Sequence, residues 1–202
     1  MILALDTSTA ACTAALFDGA GECIARRDQL IGRGHSERLV PMIAEMLDGS
    51  TADRILVGTG PGSFTGIRVG IAAAHGLAIG WDAELAGMSS LALLAAAVPD
   101  SGEVAVAVVG GHGELFVQQF GSYREPTGDL VNLTPAAAAA ATPARLVVGS
   151  GAAQLVAARG WGDARDAWPS AADALALPQA LRSLPASPVY ARAPDARVKV
   201  AA

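Results

Sequence analysis

The chain has 202 residues, 52% hydrophobic and 16% charged, a composition that excludes a disordered protein and allows one large domain or two small ones. Its formal net charge is −5, from 19 acidic and 14 basic residues, which argues against a protein that grips a phosphate backbone unaided. No run reaches the roughly 18 apolar residues of a membrane span, and no basic flank marks a signal peptide. We therefore expect a soluble, cytoplasmic protein that does not enter a membrane.

The chain opens with three short apolar runs that are separated by turn-forming residues, at 2–5, 12–17 and 22–27. Such a series predicts an antiparallel meander of three strands. A helix follows residue 34, with Ser36 as its predicted N-cap, and ends by residues 48–49. Its apolar stripe is wider than one packing surface requires and comprises Leu39, Val40, Met42, Ile43, Met46 and Leu47.

A further strand at 54–57 leads through a glycine-rich loop into a second helix at about 65–79. The polar side chains of this helix are nearly confined to Arg68 and His75, which share one narrow stripe. Gly66, Gly70 and Ala74 form a smooth strip that allows another backbone to approach closely. A helix that is apolar nearly all round must be covered on more than one side. The residues alone leave open whether the second cover is internal or another protein.

The pattern restarts after a linker at 99–102, with strands at 103–109 and 114–120, a helix in the alanine run 136–141 and a strand at 145–148. Residues 56–60 and 147–151 both place a Gly-x-Gly turn directly after a strand. This repetition predicts a duplicated α/β unit. We assign an N-terminal domain to residues 1–100 and a smaller C-terminal domain to 101–202, the last residues packing back on the first domain.

The loop after the strand at 54–57 invites a phosphate-binding interpretation, because glycine-rich turns before helices expose amides. A P-loop needs a lysine there, whereas the single lysine of the chain is Lys199. The Rossmann glycine spacing is absent, and Pro61 removes one amide. A tight strand-to-helix turn is favoured, with Asp6 capping its own turn. Asp6, Gly60 and Gly62 remain candidate cofactor-binding residues.

No catalytic or metal-binding residue is assigned. His35 stands beside Ser36, but no acidic residue is placed to orient a nucleophile pair. The three histidines lie far apart in sequence, which argues against a structural zinc site. Cys12 and Cys23 fit a reduced cytosolic protein better than a disulfide scaffold.

Three segments of the first half resemble the TsaB (YeaZ) family in order and spacing. They are residues 2–8 (ILALDTS), 33–43 (RGHSERLVPMI) and 57–70 (VGTGPGSFTGIRVG), the last continuing to 76–78 (GLA). The second half is similar more loosely, at 113–116 (GELF) and 188–192 (PVYAR). Many relatives carry an Asp-Ala-Arg-like sequence where this chain has residues 109–112 (VGGH).

The resemblance implies an α/β fold of two related domains, like the actin/Hsp70/sugar-kinase superfamily with its ribonuclease H-like architecture. It implies a non-catalytic scaffold or activating subunit of the complex that forms N6-threonylcarbamoyladenosine in tRNAs reading codons that begin with A. The implied partners are a catalytic TsaD-like paralogue, a TsaE-like ATPase and, through the complex, tRNA. ATP and a metal are expected on those partners, with no cofactor for this chain alone, and a homodimer is expected as an alternative when the chain is alone.

The resemblance also implies docking through the two N-terminal helices. The positions assigned to this interface are Leu39, Met42, Ile43, Met46, Gly66, Ile67, Gly70, Ile71 and Ala74. Gly70→Arg is then expected to prevent docking while the monomer stays folded. The competing hypothesis is an enzyme acting alone, either a degenerate ATP-dependent kinase or a TsaD-like peptidase, with Asp6 and the glycine-rich loop at its site. Direct tRNA binding through Arg26, Arg27, Arg33 and Arg38 is a third hypothesis.

Overall fold

A computed structural model describes residues 1–98 and 102–191 of the chain. The first five strands form one mixed sheet in the order β3-β2-β1-β4-β5. They are β1 (Ile2–Asp6), β2 (Ala11–Phe17), β3 (Cys23–Leu30), β4 (Arg54–Gly58) and β5 (Glu84–Met88). β2 is antiparallel to both neighbours, whereas β4 is parallel to β1 and β5 to β4. Only β2 therefore runs against the other four strands.

Three helices belong to this first unit: α1 (His35–Leu47), α2 (Phe64–Trp81) and α3 (Ser90–Ala96). The meander, α1 and α2 are confirmed. Ser36 as the N-cap is wrong, because Gly34 occupies that position in the left-handed conformation (φ 83°) and no side chain caps α1. The sequence patterns predict neither β5 nor α3. Leu91 to Ala95 of α3 are at most 1% exposed, so this helix lacks the polar face that makes a pattern recognisable.

The second sheet has the order β10-β9-β6-β7-β8. Its strands are β6 (Val104–Gly111), β7 (Glu114–Phe120), β8 (Val131–Leu133), β9 (Leu146–Val148) and β10 (Asp163–Arg165), accompanied by α4 (Pro135–Ala141) and α5 (Ala152–Arg159). β7 is antiparallel to β6 and β8, while β9 is parallel to β6 and β10 to β9. Taken from β8 to β10, the strands of this sheet have the same order along the chain and the same relative directions as those of the first sheet taken from β3 to β5. The duplicated unit is confirmed, and its strand order is that of the ribonuclease H-like fold.

The apolar core forms three layers, one on the outer face of each sheet and one between the two sheets. One face of the first sheet packs under α1 and α2, and one face of the second packs under α4 and α5. The remaining faces enclose α3 and the short 3-10 helix Ala171–Ala176 between them. Cys12 is buried and Cys23 is exposed, and both are free cysteines. Within the described residues, no helix is both long and apolar enough to cross a bilayer.

The chain returns to the first unit after β10. The Ser170 hydroxyl donates to Asp28, and the Ala171 amide donates to the Thr13 hydroxyl. Further on, Leu184 exchanges two backbone hydrogen bonds with Gly87 of β5. The domain boundary between residues 100 and 101 stays a prediction, since residues 99–101 and 192–202, with the linker and the end of the tail, lie outside the described residues.

Candidate functional site

The carboxylate of Asp6, at the end of β1, is completely buried, and its hydrogen bonds are made within the chain. One oxygen accepts the Ser8 amide at 2.8 Å and the Ser8 hydroxyl at 2.7 Å. The other accepts the Ser90 hydroxyl, whose oxygen in turn accepts the Gly60 amide at 3.0 Å. A Cβ at Gly58 would lie 1.8 Å from this second oxygen. Asp6 therefore ties together the β1–β2 turn, the glycine-rich loop and the start of α3.

Burial raises the pKa of Asp6 above its usual value near 3.8, and this effect outweighs the hydrogen bonds from Ser90 and Ser8, which lower it. A raised pKa in the folded state means that the native protein binds a proton more tightly than the unfolded chain does. The free energy of unfolding therefore falls as pH rises from about 4 through the raised pKa.

Asp6→Ala is expected to lower the free energy of unfolding by about 2–4 kcal/mol, because three buried donors lose their acceptor. Asp6→Asn keeps an acceptor for Ser8 and cannot ionise, so it should cost less. Its free energy of unfolding should also lack the decrease that Asp6 causes above pH 4. Urea unfolding of the original chain and both variants from pH 4 to 8 measures both effects. Parallel pH profiles for the original chain and the Asp6→Asn variant would contradict the assignment.

The loop before α2 forms a tight turn whose amides donate hydrogen bonds to other groups of the chain. The Ser63 amide donates to the Ser8 carbonyl at 2.7 Å, and the Ser63 hydroxyl accepts the Gly66 amide as the N-cap of α2. Gly60 has φ +96°, a left-handed conformation that favours glycine. The structure thus brings Asp6, Gly60 and Gly62 together, in the geometry of a turn. That these three residues bind a cofactor stays a prediction.

The glycines of the loop and α2 allow a close approach to the β1–β2 turn of the same chain. A Cβ at Gly62 would lie 2.0 Å from the Ser8 carbonyl oxygen, and one at Gly66 would lie 2.1 Å from the Thr7 carbonyl oxygen. A Cβ at Gly70 would lie 2.5 Å from the Thr7 hydroxyl. The expectation that Gly70→Arg leaves the monomer folded is therefore wrong, because the smooth strip already contacts its own sheet.

The nine positions assigned to the partner interface lie together on the inner faces of α1 and α2, toward the first sheet. Eight are buried: Leu39, Met42, Ile43, Ile67, Ile71 and Ala74 in the core cluster of the first sheet, and Gly66 and Gly70 on α2. Met46 is half-buried against the same cluster. Their role in docking stays a prediction. In the described chain, the apolar side chains among them pack between the two helices and the first sheet.

The polar stripe of α2 faces the C-terminal segment of the chain. The Arg68 Nε donates to the Tyr190 hydroxyl at 2.9 Å, and the Tyr190 ring stacks on Phe64 with centroids 4.7 Å apart. The His75 Nε2 lies 3.3 Å from the Ala186 carbonyl oxygen. Part of the second side of α2 is therefore covered internally, by a contact that no local sequence pattern indicates.

The rest of the outer side is uncovered, and its apolar residues lie beside the exposed Glu37 and Glu45 of α1. On α2 it presents Ala72, Gly76 and Ile79, the last 83% exposed, and on the neighbouring α1 it presents Val40, 47% exposed, and Ala44. We call these five residues the outer α1–α2 surface. Exposed apolar patches of this kind are typical of protein interfaces. The sequence signal for this surface was the spacing of residues 72, 76 and 79 along α2. The glycine strip beside them indicates a different docking surface, so the spacing alone did not single out this one.

Fold and surface define a class: a duplicated, ribonuclease H-like α/β protein whose candidate site is an exposed helix pair. The family model described as TsaD, tRNA N6-adenosine threonylcarbamoyltransferase, matches residues 29–147, more than half of the 202 residues. The chain belongs to this family, and within it the chain is similar to the TsaB (YeaZ) proteins.

Two curated relatives are the tRNA threonylcarbamoyladenosine biosynthesis proteins TsaB of Escherichia coli and Haemophilus influenzae. The first is 40% identical over 100 residues, 46% of this chain and 42% of the relative. The second is 44% identical over 102 residues, 48% of this chain and 42% of the relative. The chain thus spans about two fifths of the length of these relatives. A solved Pseudomonas aeruginosa structure, an uncharacterized protein with similarity to peptidase YEAZ, is 29% identical with a TM-score of 0.78, covering 95% of this chain and 99% of its own.

Proposed function

We propose that this chain is an accessory subunit, without catalytic activity of its own, in the formation of N6-threonylcarbamoyladenosine in tRNA. The observation that carries the proposal is an exposed apolar surface on α1 and α2 in a member of the TsaD family. Its similarity to proteins named for threonylcarbamoyladenosine biosynthesis supports the pathway. The partner we propose for this surface is a TsaD-like catalytic subunit.

The composition of the outer α1–α2 surface suits a protein partner. Gly76 has nothing within 4 Å of where a Cβ would stand, so a partner backbone can approach the helix closely at that point. Ile79, which projects into solvent, supplies an anchor that only a partner can bury. The buried residues beneath the surface hold the two helices rigidly, which lowers the entropic cost of association.

The geometry of Asp6 favours the accessory role over an enzyme acting alone. Both carboxylate oxygens are engaged by Ser8 and Ser90, and the side chain is 0% exposed. Holding a metal–nucleotide complex would first require these hydrogen bonds to break. No contact in the described residues favours the kinase or peptidase hypothesis. We place ATP and metal binding on the partners, a TsaE-like ATPase among them, with tRNA held through the complex.

The proposal is tested in cells from which the chain can be depleted. We expect threonylcarbamoyladenosine in bulk tRNA to fall at least tenfold on depletion and to return on re-expression, measured by mass spectrometry of digested tRNA. Co-expression with the TsaD-like protein of the same organism should yield a complex whose native mass contains both chains. Unchanged modification after depletion, or modification by the isolated chain alone, would show that the accessory role is wrong.

A further inference from the structure

One charged side chain lies on the same face of α2 as the outer α1–α2 surface. Arg68 is the only arginine, lysine or carboxylate residue of α2. In a helix of about 3.6 residues per turn, positions 68 and 72 differ by about 40°, and positions 68 and 79 by about 20°. Arg68 therefore shares its face with Ala72 and Ile79, and it is exposed. Because helical side chains lean toward the N-terminus, the guanidinium lies at the N-terminal edge of the surface.

Two aromatic residues of the chain hold the Arg68 side chain in place. Its Nε donates to the Tyr190 hydroxyl at 2.9 Å. Its Cζ lies 5.8 Å from the centre of the Phe64 ring and 5.7 Å from the centre of the Tyr190 ring. Such contacts restrict the rotamers of a long side chain before any partner arrives. Arg68 is therefore pre-organised, although it is exposed.

The guanidinium of Arg68 has hydrogen-bond donors to spare. The bond to Tyr190 uses only the N–H on Nε. Among the described residues, the ion pairs are formed by other groups, such as Arg38 of α1, whose Nη1 lies 3.5 Å from Glu45. The terminal amino groups of an arginine match both oxygens of a carboxylate. Within this part of the chain, Arg68 thus presents an unneutralised cation at the edge of an apolar surface.

We propose that Arg68 is the charged anchor of the outer α1–α2 surface and that it binds a carboxylate of the TsaD-like subunit. This role of Arg68 rests on the proposed function and adds the chemistry of the partner's contact. Arginine is enriched among the residues that dominate protein interfaces, and a side chain that is already held loses less entropy on binding. The apolar residues supply buried area, whereas the ion pair fixes how the partner is placed along α2.

Calorimetric titration with the TsaD-like protein of the same organism measures the contribution of Arg68. We expect Arg68→Gln, which removes the charge, to weaken binding roughly 10-fold to 100-fold. Arg68→Lys keeps the charge but lacks the planar fork, and should weaken binding roughly threefold to tenfold. Arg165→Gln is the matched control, because it makes the same change at an exposed arginine of β10, outside the outer α1–α2 surface. It should bind as the original chain does.

Tyr190→Phe tests whether the tyrosine hydroxyl positions the guanidinium. It keeps the ring that stacks on Phe64 but removes the hydrogen-bond acceptor of Arg68, and should weaken binding roughly twofold to fivefold. A chain carrying both Tyr190→Phe and Arg68→Gln should bind no more weakly than Arg68→Gln alone, because the hydroxyl acts through the guanidinium. Additive losses would contradict this positioning role.

The measured affinities distinguish a wrong role for Arg68 from a wrong proposed function. If the original chain binds and a folded Arg68→Gln variant binds equally well, Arg68 is not an anchor and the proposed function stands. If the original chain does not bind the TsaD-like protein, both are overturned. Equal losses in Arg68→Gln and Arg165→Gln would also overturn the role of Arg68. Should Arg68→Gln fail to fold by circular dichroism, Arg68→Lys decides instead, and its binding at the original affinity would overturn the proposal.

Discussion

Gly66→Ala is expected to lower the free energy of unfolding by about 3–5 kcal/mol, a large effect for the addition of one methyl group. The new Cβ would lie 2.1 Å from the carbonyl oxygen of Thr7, a backbone atom that no side-chain rotation can remove. To relieve the clash, α2 must move away from the β1–β2 turn. That movement also stretches the 2.7 Å hydrogen bond from the Thr7 hydroxyl to the Gly66 carbonyl.

Urea unfolding measures this effect as a lower midpoint at an unchanged slope. Gly76→Ala is the matched control in the same helix, because no atom lies within 4 Å of the position where its Cβ would stand. It should stabilise the protein by about 0.5–1 kcal/mol, since alanine restricts the unfolded chain more than glycine does. Equal midpoints for the two variants would refute the close-packing role of Gly66.

The same glycines show where sequence reasoning reaches its limit. Gly66 and Gly70 at four-residue spacing correctly indicate a close approach to α2, which the Thr7 backbone makes at Gly66 and the Thr7 hydroxyl makes at Gly70. The sequence carries no information on whose backbone it is, because a partner helix and the chain's own β1–β2 turn require the same absence of side chains. The apolar stripe of α1 was ambiguous for the same reason, and Met42 is buried in its own core.

The architecture was more accessible than the site. The three-strand meander, the strand–glycine–helix repeat and the two long helices predict a duplicated α/β unit, because each leaves a local pattern. β3 runs to Leu30, whereas the sequence pattern predicted its end at residue 27. The pattern missed the true end because most residues of β3 are exposed and show no apolar alternation. The contact between the two units lay beyond prediction, since Ser170 and Ala171 reach Asp28 and Thr13 only through the packing of the two sheets.

Ile79→Arg is expected to weaken binding of the TsaD-like subunit by roughly 100-fold or more, if the outer α1–α2 surface is the docking surface. In the free chain the Ile79 side chain is 83% exposed, so the substitution should change the free energy of unfolding by less than about 0.5 kcal/mol. In a complex, the same position would place a guanidinium in an apolar contact, where it loses its water without gaining a partner charge.

Ile24→Arg provides the control, because it makes the same chemical change at a 57% exposed isoleucine on the edge strand β3, outside the outer α1–α2 surface. Binding of both variants to the TsaD-like subunit is measured by calorimetry, and threonylcarbamoyladenosine is measured in cells that express each variant in place of the original chain. We expect Ile24→Arg to bind and to support modification, and Ile79→Arg to do neither. A folded Ile79→Arg protein with undiminished affinity would exclude this surface. Equal losses of binding in both variants would instead show that an added arginine weakens binding irrespective of its position, as an effect of the added charge.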